Sequence, residues 1–380
     1  MVEPAESAGR AHTRAIVAFA LIGALIVVAA LAIVIALRLT VYSAGGFVEG
    51  YLHSLANHDA AAALEFPGVQ PTRAELNRMT AGAAPAGTSG TAHPHVSREL
   101  LRGDVLGTID GVHVTHESTD AHGRHHITVA YRLAPVPDGS GTGKAATTGP
   151  GAQGAVRHTS TFTLQRDGAI AGILPRWRFS STPLAIARVT VAHAHTFTLA
   201  GHTLDVRVAA GDATRLFGAT GDYLVFAPSS MLLGHTDELT EAGAVRATAT
   251  RPGGSTTASV VAQPTAAFTR RVQTQLDHYL DGCTKQQVLQ PTGCPMGKRI
   301  DNRVLGSPTW TITHYPAVQI TPGDDGWTMP ATAGTARLTV RVQSLFDGSV
   351  SNEKDTVPFT VAIKSIAIQP DGSLAITVAG

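Results

Sequence analysis

The residues of this 380-residue chain best able to do chemistry are its seventeen histidines. His93 with His95, and His193 with His195, form HxH pairs. On one strand such a pair projects both rings from the same face, as a zinc site requires. His113 and His116 form an HxxH, with Glu117, Asp120, His122, His125 and His126 close behind. Residues three apart face opposite ways on a strand, and so do the adjacent His125 and His126. His93 and His95 border a tract of small residues, and no spacing matches a known metal site. The pattern is that of histidines facing solvent on strands and loops, with no metal ligands. Ser351-Asn352-Glu353-Lys354 spells SxxK, the nucleophile motif of penicillin-interacting serine enzymes. There Ser opens a helix so that Lys reaches its hydroxyl, and a KTG completes the site. Here the tetrapeptide is expected in a turn between strands, and the chain contains no KTG.

Other motifs fare no better. Gly149-Pro150-Gly151-Ala152-Gln153-Gly154 matches GxGxxG but has no helix to follow it, and GxSxG, HExxH and GxxxxGK[ST] are absent. Asp324-Asp325-Gly326 and Asp347-Gly348 lack the alternating carboxylates of a calcium loop and read as turns. Trp177, Trp310 and Trp327 sit in or beside expected strands, where packing is the ordinary role; Trp327, next to Gly326, has a sugar-stacking platform as its alternative. The expectation is a protein with no catalytic residue and no cofactor.

Twenty-nine Lys and Arg against 28 acidic residues, with no basic run, leave no electrostatic footprint for nucleic acid. Charged residues are 15% of the chain, well below the usual quarter, which suits β-rich modules of small side chains.

Ala15 to Leu37 is an unbroken apolar run without charge, amide or proline. As a helix it would reach roughly 34 Å, enough to cross a hydrocarbon core of about 30 Å. The run reads as a single transmembrane helix over 15–37. Arg10 and Arg14 precede it and only Arg38 follows closely, which favours a cytoplasmic tail at 1–14 and an ectodomain outside. The rival reading is a signal peptide cleaved near Ser43-Ala44-Gly45, although its apolar core is normally shorter. On this topology Cys283 and Cys294 lie in an oxidising exterior, where a disulfide is expected. Closing so short a loop stabilises by about 3 kcal/mol in the chain-entropy model. Free thiols are the alternative, and a metal site would lack ligands beyond His278.

Beyond the run, Phe47, Tyr51, Leu52, Leu55 and Ala56 form the stripe of an amphipathic helix. Asp59 is an N-cap for a second helix through Phe66, stopped by Pro67-Gly68. Val105–Val114, Ile127–Leu133, Thr159–Leu164 and Trp177–Ser180 read as strands, with Asp110-Gly111 and Asp167-Gly168 as turns. Thr80–Ala92 and Pro135–Gly154 are Ala/Gly/Pro/Ser tracts expected to be mobile. From 184 to 264 short strand candidates with Gly-rich punctuation suggest a small all-β module. Phe268, Val272, Leu276, Tyr279 and Leu280 then mark another amphipathic helix over Thr265–Gly282. Thr309–Thr313, Val318–Thr321, Ala336–Leu345, Pro358–Ile368 and Ser373–Val378 follow as strands, Leu345 breaking the alternation of Leu338, Val340 and Val342 by one slip.

The Tyr-Leu helix, the Asn/Asp turn at 57–59, the Ala-Ala-Leu helix and the closing Leu174-Pro175-Arg176-Trp177-Arg178-Phe179 resemble NTF2-like domains, in which a curved antiparallel sheet wraps an N-terminal helix. The resemblance implies an α+β module over 44–183 with a cup between helix and sheet. Phe47, Tyr51, Leu55 and Trp177 would line or fill that cup. The helix-then-strands order over 265–380 resembles a second copy, nearer to cystatin-like relatives. Together the order resembles single-pass envelope proteins of high-GC Gram-positive bacteria. The fold expected is thus α+β: a transmembrane helix, an NTF2-like module, a small all-β module at 184–264 and a second helix-plus-sheet module.

The function expected is a membrane-anchored, extracytoplasmic, non-catalytic scaffold or binding protein, with envelope proteins or cell-wall components as partners. A receptor holding a small ligand in the cup is the second reading. A cell-wall enzyme, built from ionisable groups that only the fold brings together, is the third.

Overall fold

The computed structural model describes residues 21–29, 31–32, 35–36, 42–83, 95–136, 155–170, 172–210, 214–215, 217–369 and 371–379. The chain is mostly sheet, 47% strand against 22% helix, and this corrects the expected α+β class headed by a transmembrane helix. Within 15–37 the described residues are helical at 21–29, 31–32 and 35–36, and among the described residues no helix is long and apolar enough to cross a membrane. The remaining positions of that run lie outside the described residues. Beyond that run the apolar residues mostly alternate, as in Leu338, Val340 and Val342, and a period of two builds strands rather than helices. Of the two small-residue tracts, Thr80–Ala83 ends a helix and buries Thr80 and Ala83; Pro135 and Val136 are described, and most of the rest is not.

The first core gathers helix α1 (Ala44–Ala56), with α2 (Ala60–Glu65) beside it, against a four-stranded antiparallel sheet, and α3 (Arg73–Ala83), which lies on a neighbouring five-stranded sheet. Ser43 caps α1 by accepting from Gly46 N–H, and Asp59 caps α2 by accepting from Ala62 N–H, each at 2.9 Å. Helix α3 was not expected from sequence. It opens with a capping box, Thr72 N–H donating to the Glu75 carboxylate at 2.9 Å while Glu75 N–H donates to the Thr72 hydroxyl at 3.2 Å. The sheet is a meander of β1 (Thr108–Thr119), β2 (His125–Ala134), β3 (Val156–Ile170) and β4 (Leu174–Phe179). Asp110-Gly111 and Asp167-Gly168 are not turns. Each lies inside a strand at a register shift, with Gly111 at φ 63° and Gly168 at φ 86°, a backbone that bulges use glycine to reach.

The second core lies between two five-stranded sheets. One carries β5 (Leu184–Ala192), β8 (Gly218–Phe226), β11 (Ser255–Val261) and the short strand Val96–Ser97. Here β5 pairs antiparallel with β8 and parallel with β11. The other carries β6 (Thr196–Leu199), β7 (His202–Asp205), β9 (Ser229–Thr236) and β10 (Thr240–Ala249), all antiparallel. Val189, Val191, Tyr223 and Val225 face the second core, while Leu184, Ile186, Leu224 and Phe226 belong to the first. A sheet covered on both faces wants apolar residues without alternation, which explains the unbroken apolar runs in β5 and β8.

The third core packs helix α4 (Ala266–Thr284) on a six-stranded antiparallel sheet. Thr265 caps the helix by accepting from Phe268 N–H at 3.2 Å, and Phe268, Val272, Leu276 and Leu280 form its buried stripe. Strands β12 (Thr309–His314), β13 (Trp327–Gln343), β14 (Val350–Ile368) and β15 (Leu374–Val378) build the sheet, with β13 and β14 joined as one long hairpin. The strand expected at Val318–Thr321 is absent apart from Thr321, which starts a two-residue strand with Pro322.

Candidate functional site

Phe47, Tyr51 and Leu55 recur every fourth residue along α1 and so share one face. The fold brings that face and Trp177 of β4 into the same core. Tyr51 and Leu55 are fully buried, and Tyr51 meets Phe66, Phe162 and Phe179 at ring centroids 5.8, 6.1 and 5.2 Å apart. Phe47 packs on Phe66 and Phe179 at 5.3 and 5.2 Å. These contacts fill the space between helix and sheet. Burial pushes the Tyr51 hydroxyl well above its usual pKa, and that hydroxyl donates to Pro183 C=O at 3.4 Å. Trp177 does something the sequence did not suggest: its Nε1 donates to Tyr42 C=O at 2.9 Å. His125 stands edge-on to its ring at 4.7 Å and the Arg166 guanidinium lies 5.7 Å from the ring centre.

The histidines are dispersed into separate roles. No group of three or more His, Cys, Asp or Glu among the described residues is placed to hold a metal ion. His93 lies outside the described residues, and His95 is exposed. His193 and His195 do not share a strand face, because β5 ends at Ala192 and His193 turns to φ 64°. Its Nδ1 meets Ala262 C=O at 3.0 Å, and its ring packs on Phe217 at 4.9 Å and Trp327 at 5.4 Å. With Phe268 5.9 Å from Trp327, these rings join the second core to the third. His125 contacts Glu117 at 3.3 Å, and His126 contacts Asp120 at 3.4 Å. His235 was not singled out in the sequence, yet it is buried at a register shift in β9. Its Nδ1 donates to Thr196 C=O at 2.8 Å, while its Nε2 lies 2.8 Å from the Thr240 hydroxyl and 3.3 Å from Asp237. Burial would raise the Asp237 pKa, but hydrogen bonds from His235, Thr240 and Leu239 outweigh it and hold the carboxyl at about 2.

Ser351 and Lys354 are not in a turn. They pair with Val342 and Thr339 inside β14, and three residues apart on a strand they face opposite ways. The hydroxyl of Ser351 and the amine of Lys354 therefore cannot form the SxxK constellation. Cys283 and Cys294 are joined as a disulfide with Cα atoms 5.9 Å apart. An open groove of about 640 Å³ runs between α4 and the turn before β15, lined by Arg270, Arg271, Gly372 and Ser373. Arg271 is already engaged there, donating to Gly372 C=O at 2.8 Å and to Glu238 at 2.7 Å.

The most conspicuous surface element is the tip of the β13–β14 hairpin. Phe346 is 100% exposed and Leu345 72% exposed, yet the turn holding them is firmly built. Ser344 N–H donates to Ser349 C=O at 2.8 Å, and Gly348 N–H donates to Ser344 C=O at 3.1 Å. The Asp347 carboxylate accepts from the Ser349 N–H and hydroxyl at 3.0 and 2.8 Å; these bonds and one involving Ser344 hold its pKa down at about 2. The signal for this site in the sequence is the slip at Leu345. Position 344 would have continued the buried alternation, and the apolar residue falls one place later, where nothing covers it.

No known family, no curated protein and no solved structure matches the chain. Among the described residues the fold defines a mostly-sheet protein with three buried cores, cross-linked by a disulfide and carrying an exposed apolar hairpin tip.

Proposed function

We propose that the chain is a non-catalytic scaffold or binding protein of the bacterial cell envelope, located at the membrane and folded on its outer side, with the Leu345-Phe346 tip as its contact element. The observation carrying this reading is that tip: two large apolar side chains without intramolecular cover, held by a turn whose hydrogen bonds already fix the backbone. Apolar groups displayed on a rigid support lose little conformational freedom when a partner covers them. The Cys283–Cys294 bond supports an oxidising compartment. The charge-free run 15–37, with Leu21, Leu25, Ile26 and Leu31 exposed, supports a location at the membrane.

The test is a photo-crosslinking residue placed at position 346 of the full-length chain in intact cells. A discrete adduct is expected there and not from an exposed polar position such as Asn352. Phe346→Asp should remove the same partner from a native pull-down while leaving the thermal transition unchanged. Turnover of wall glycan or ester substrates by the purified chain would refute the non-catalytic part.

A further inference from the structure

In an up-and-down meander alternate hairpin turns lie at the same end, so the β1–β2 turn and the β3–β4 turn of the first sheet are neighbours. The N-terminus of α1 lies at that end as well. A Cβ on Gly45 would stand 3.3 Å from the Val114 side chain, and Tyr42 is fastened to Trp177. His125, the first residue after the β1–β2 turn, touches the same Trp177 ring. Tyr42, the first described residue after the apolar run, therefore enters the fold beside these two turns.

The β3–β4 turn is closed by Ile173 N–H donating to Ile170 C=O at 3.1 Å, and it leaves Ile170 43% and Ile173 52% exposed. Arg166 and Arg176 flank it on the two strands; both are exposed and neither makes an ion pair among the described residues, the Arg166 guanidinium lying over the Trp177 ring at 5.7 Å. The carboxylates at this end are Glu117, Asp120 and Asp167. Asp120 is engaged within its own turn, accepting from His122 and Arg124 N–H at 2.9 and 3.0 Å and pairing with the Arg124 guanidinium at 2.8 Å. Glu117 pairs with His125.

We propose that this end of the first sheet rests on a lipid bilayer, with Ile170 and Ile173 entering the interface and Arg166 and Arg176 meeting lipid phosphates. The proposal rests on the membrane location argued above. An exposed apolar turn needs no shaped partner to bury itself in an interface, and long arginine stems let the guanidinium reach the headgroups from beside it. Tyr42, five positions after the apolar run in the sequence, lies at this end, and that selects lipid over a protein partner here.

Both native cysteines are bonded, so Ile173→Cys introduces a unique thiol for a polarity-sensitive fluorophore in the full-length chain. The labelled protein is reconstituted in phosphatidylcholine vesicles containing phosphatidylglycerol and lipids with a quencher near the headgroup. Fluorescence at 173 is expected to fall by about half or more, the depth expected of an interfacial side chain, while a label at Phe346→Cys keeps its intensity. Ile170→Cys gives a second reporter should the first variant fold poorly. A chain that co-floats with vesicles yet shows no quenching at 170 or 173, or equal quenching at 346, overturns the docking geometry and leaves the membrane location standing. A chain that does not co-float overturns both.

Discussion

Removing the Cys283–Cys294 bond tests the third core and the compartment together. The two cysteines are 11 residues apart, and cross-linking a loop of that size removes unfolded-chain entropy equivalent to about 3 kcal/mol. The native loop keeps its other bonds on reduction. Trp310 Nε1 donates to Val288 C=O at 2.8 Å, Tyr279 hydroxyl to Gly293 C=O at 2.5 Å, and Thr292 N–H to Gln286 at 2.8 Å. The loss therefore falls on the unfolded state. Trp310 and Trp327 are buried in this core and report its unfolding by fluorescence. At an m-value of about 1.5 kcal/mol per molar urea, the midpoint of that transition should fall by roughly 2 M. The comparison is between oxidised chain and chain unfolded, reduced and refolded under reductant. A midpoint that moves by less than about 0.3 M would refute the loop-entropy account. Thiols that alkylate in protein taken directly from cells would remove the support for an oxidising compartment.

Two further outcomes follow from single residues. Tyr131 hydroxyl bonds to Ser160, which in turn donates to Thr250 C=O, and this chain ties the first sheet to the strand end after β10. Ser160→Ala leaves a buried hydroxyl and carbonyl without that partner and should cost about 1–3 kcal/mol in chemical denaturation; a change under about 0.3 kcal/mol would show that water replaces it. Asp237 is held at about 2 in the folded protein, below the ordinary value near 3.9, so its contribution is complete above that ordinary value and is lost as pH falls toward 2. The carboxylate is 51% exposed and screened, so the stability gap between wild type and Asp237→Asn should shrink by roughly 1 kcal/mol between pH 5 and pH 2.5. A gap independent of pH would mean that the hydrogen bonds around Asp237 do not depend on its charge.

Local features were legible wherever a short stretch of chain settles them. The stripes of α1 and α4, the cap at Asp59 and the pair Cys283 and Cys294 all depend on neighbours within a few turns, and each is where the pattern put it. The capping box of α3 was equally local and went unread. Asp110-Gly111 and Asp167-Gly168 show the limit of such signals: a glycine able to reach positive φ serves a bulge as well as a turn, and only pairing with the neighbouring strand decides which. The same holds for Ser351 to Lys354, whose place in a strand is set by the long β13 lying opposite.

By itself the sequence determined the period and polarity of each segment, because those follow from side-chain type and spacing along one chain. Tertiary structure decided what shares a core. It put β5 and β8 under two layers, filled the space around Phe47, Tyr51 and Leu55 with Phe66, Phe162 and Phe179, and left Phe346 with no cover. Burial is a relation between residues far apart in the chain, so no pattern within a single strand could reveal which apolar side chains would be packed and which would face outward.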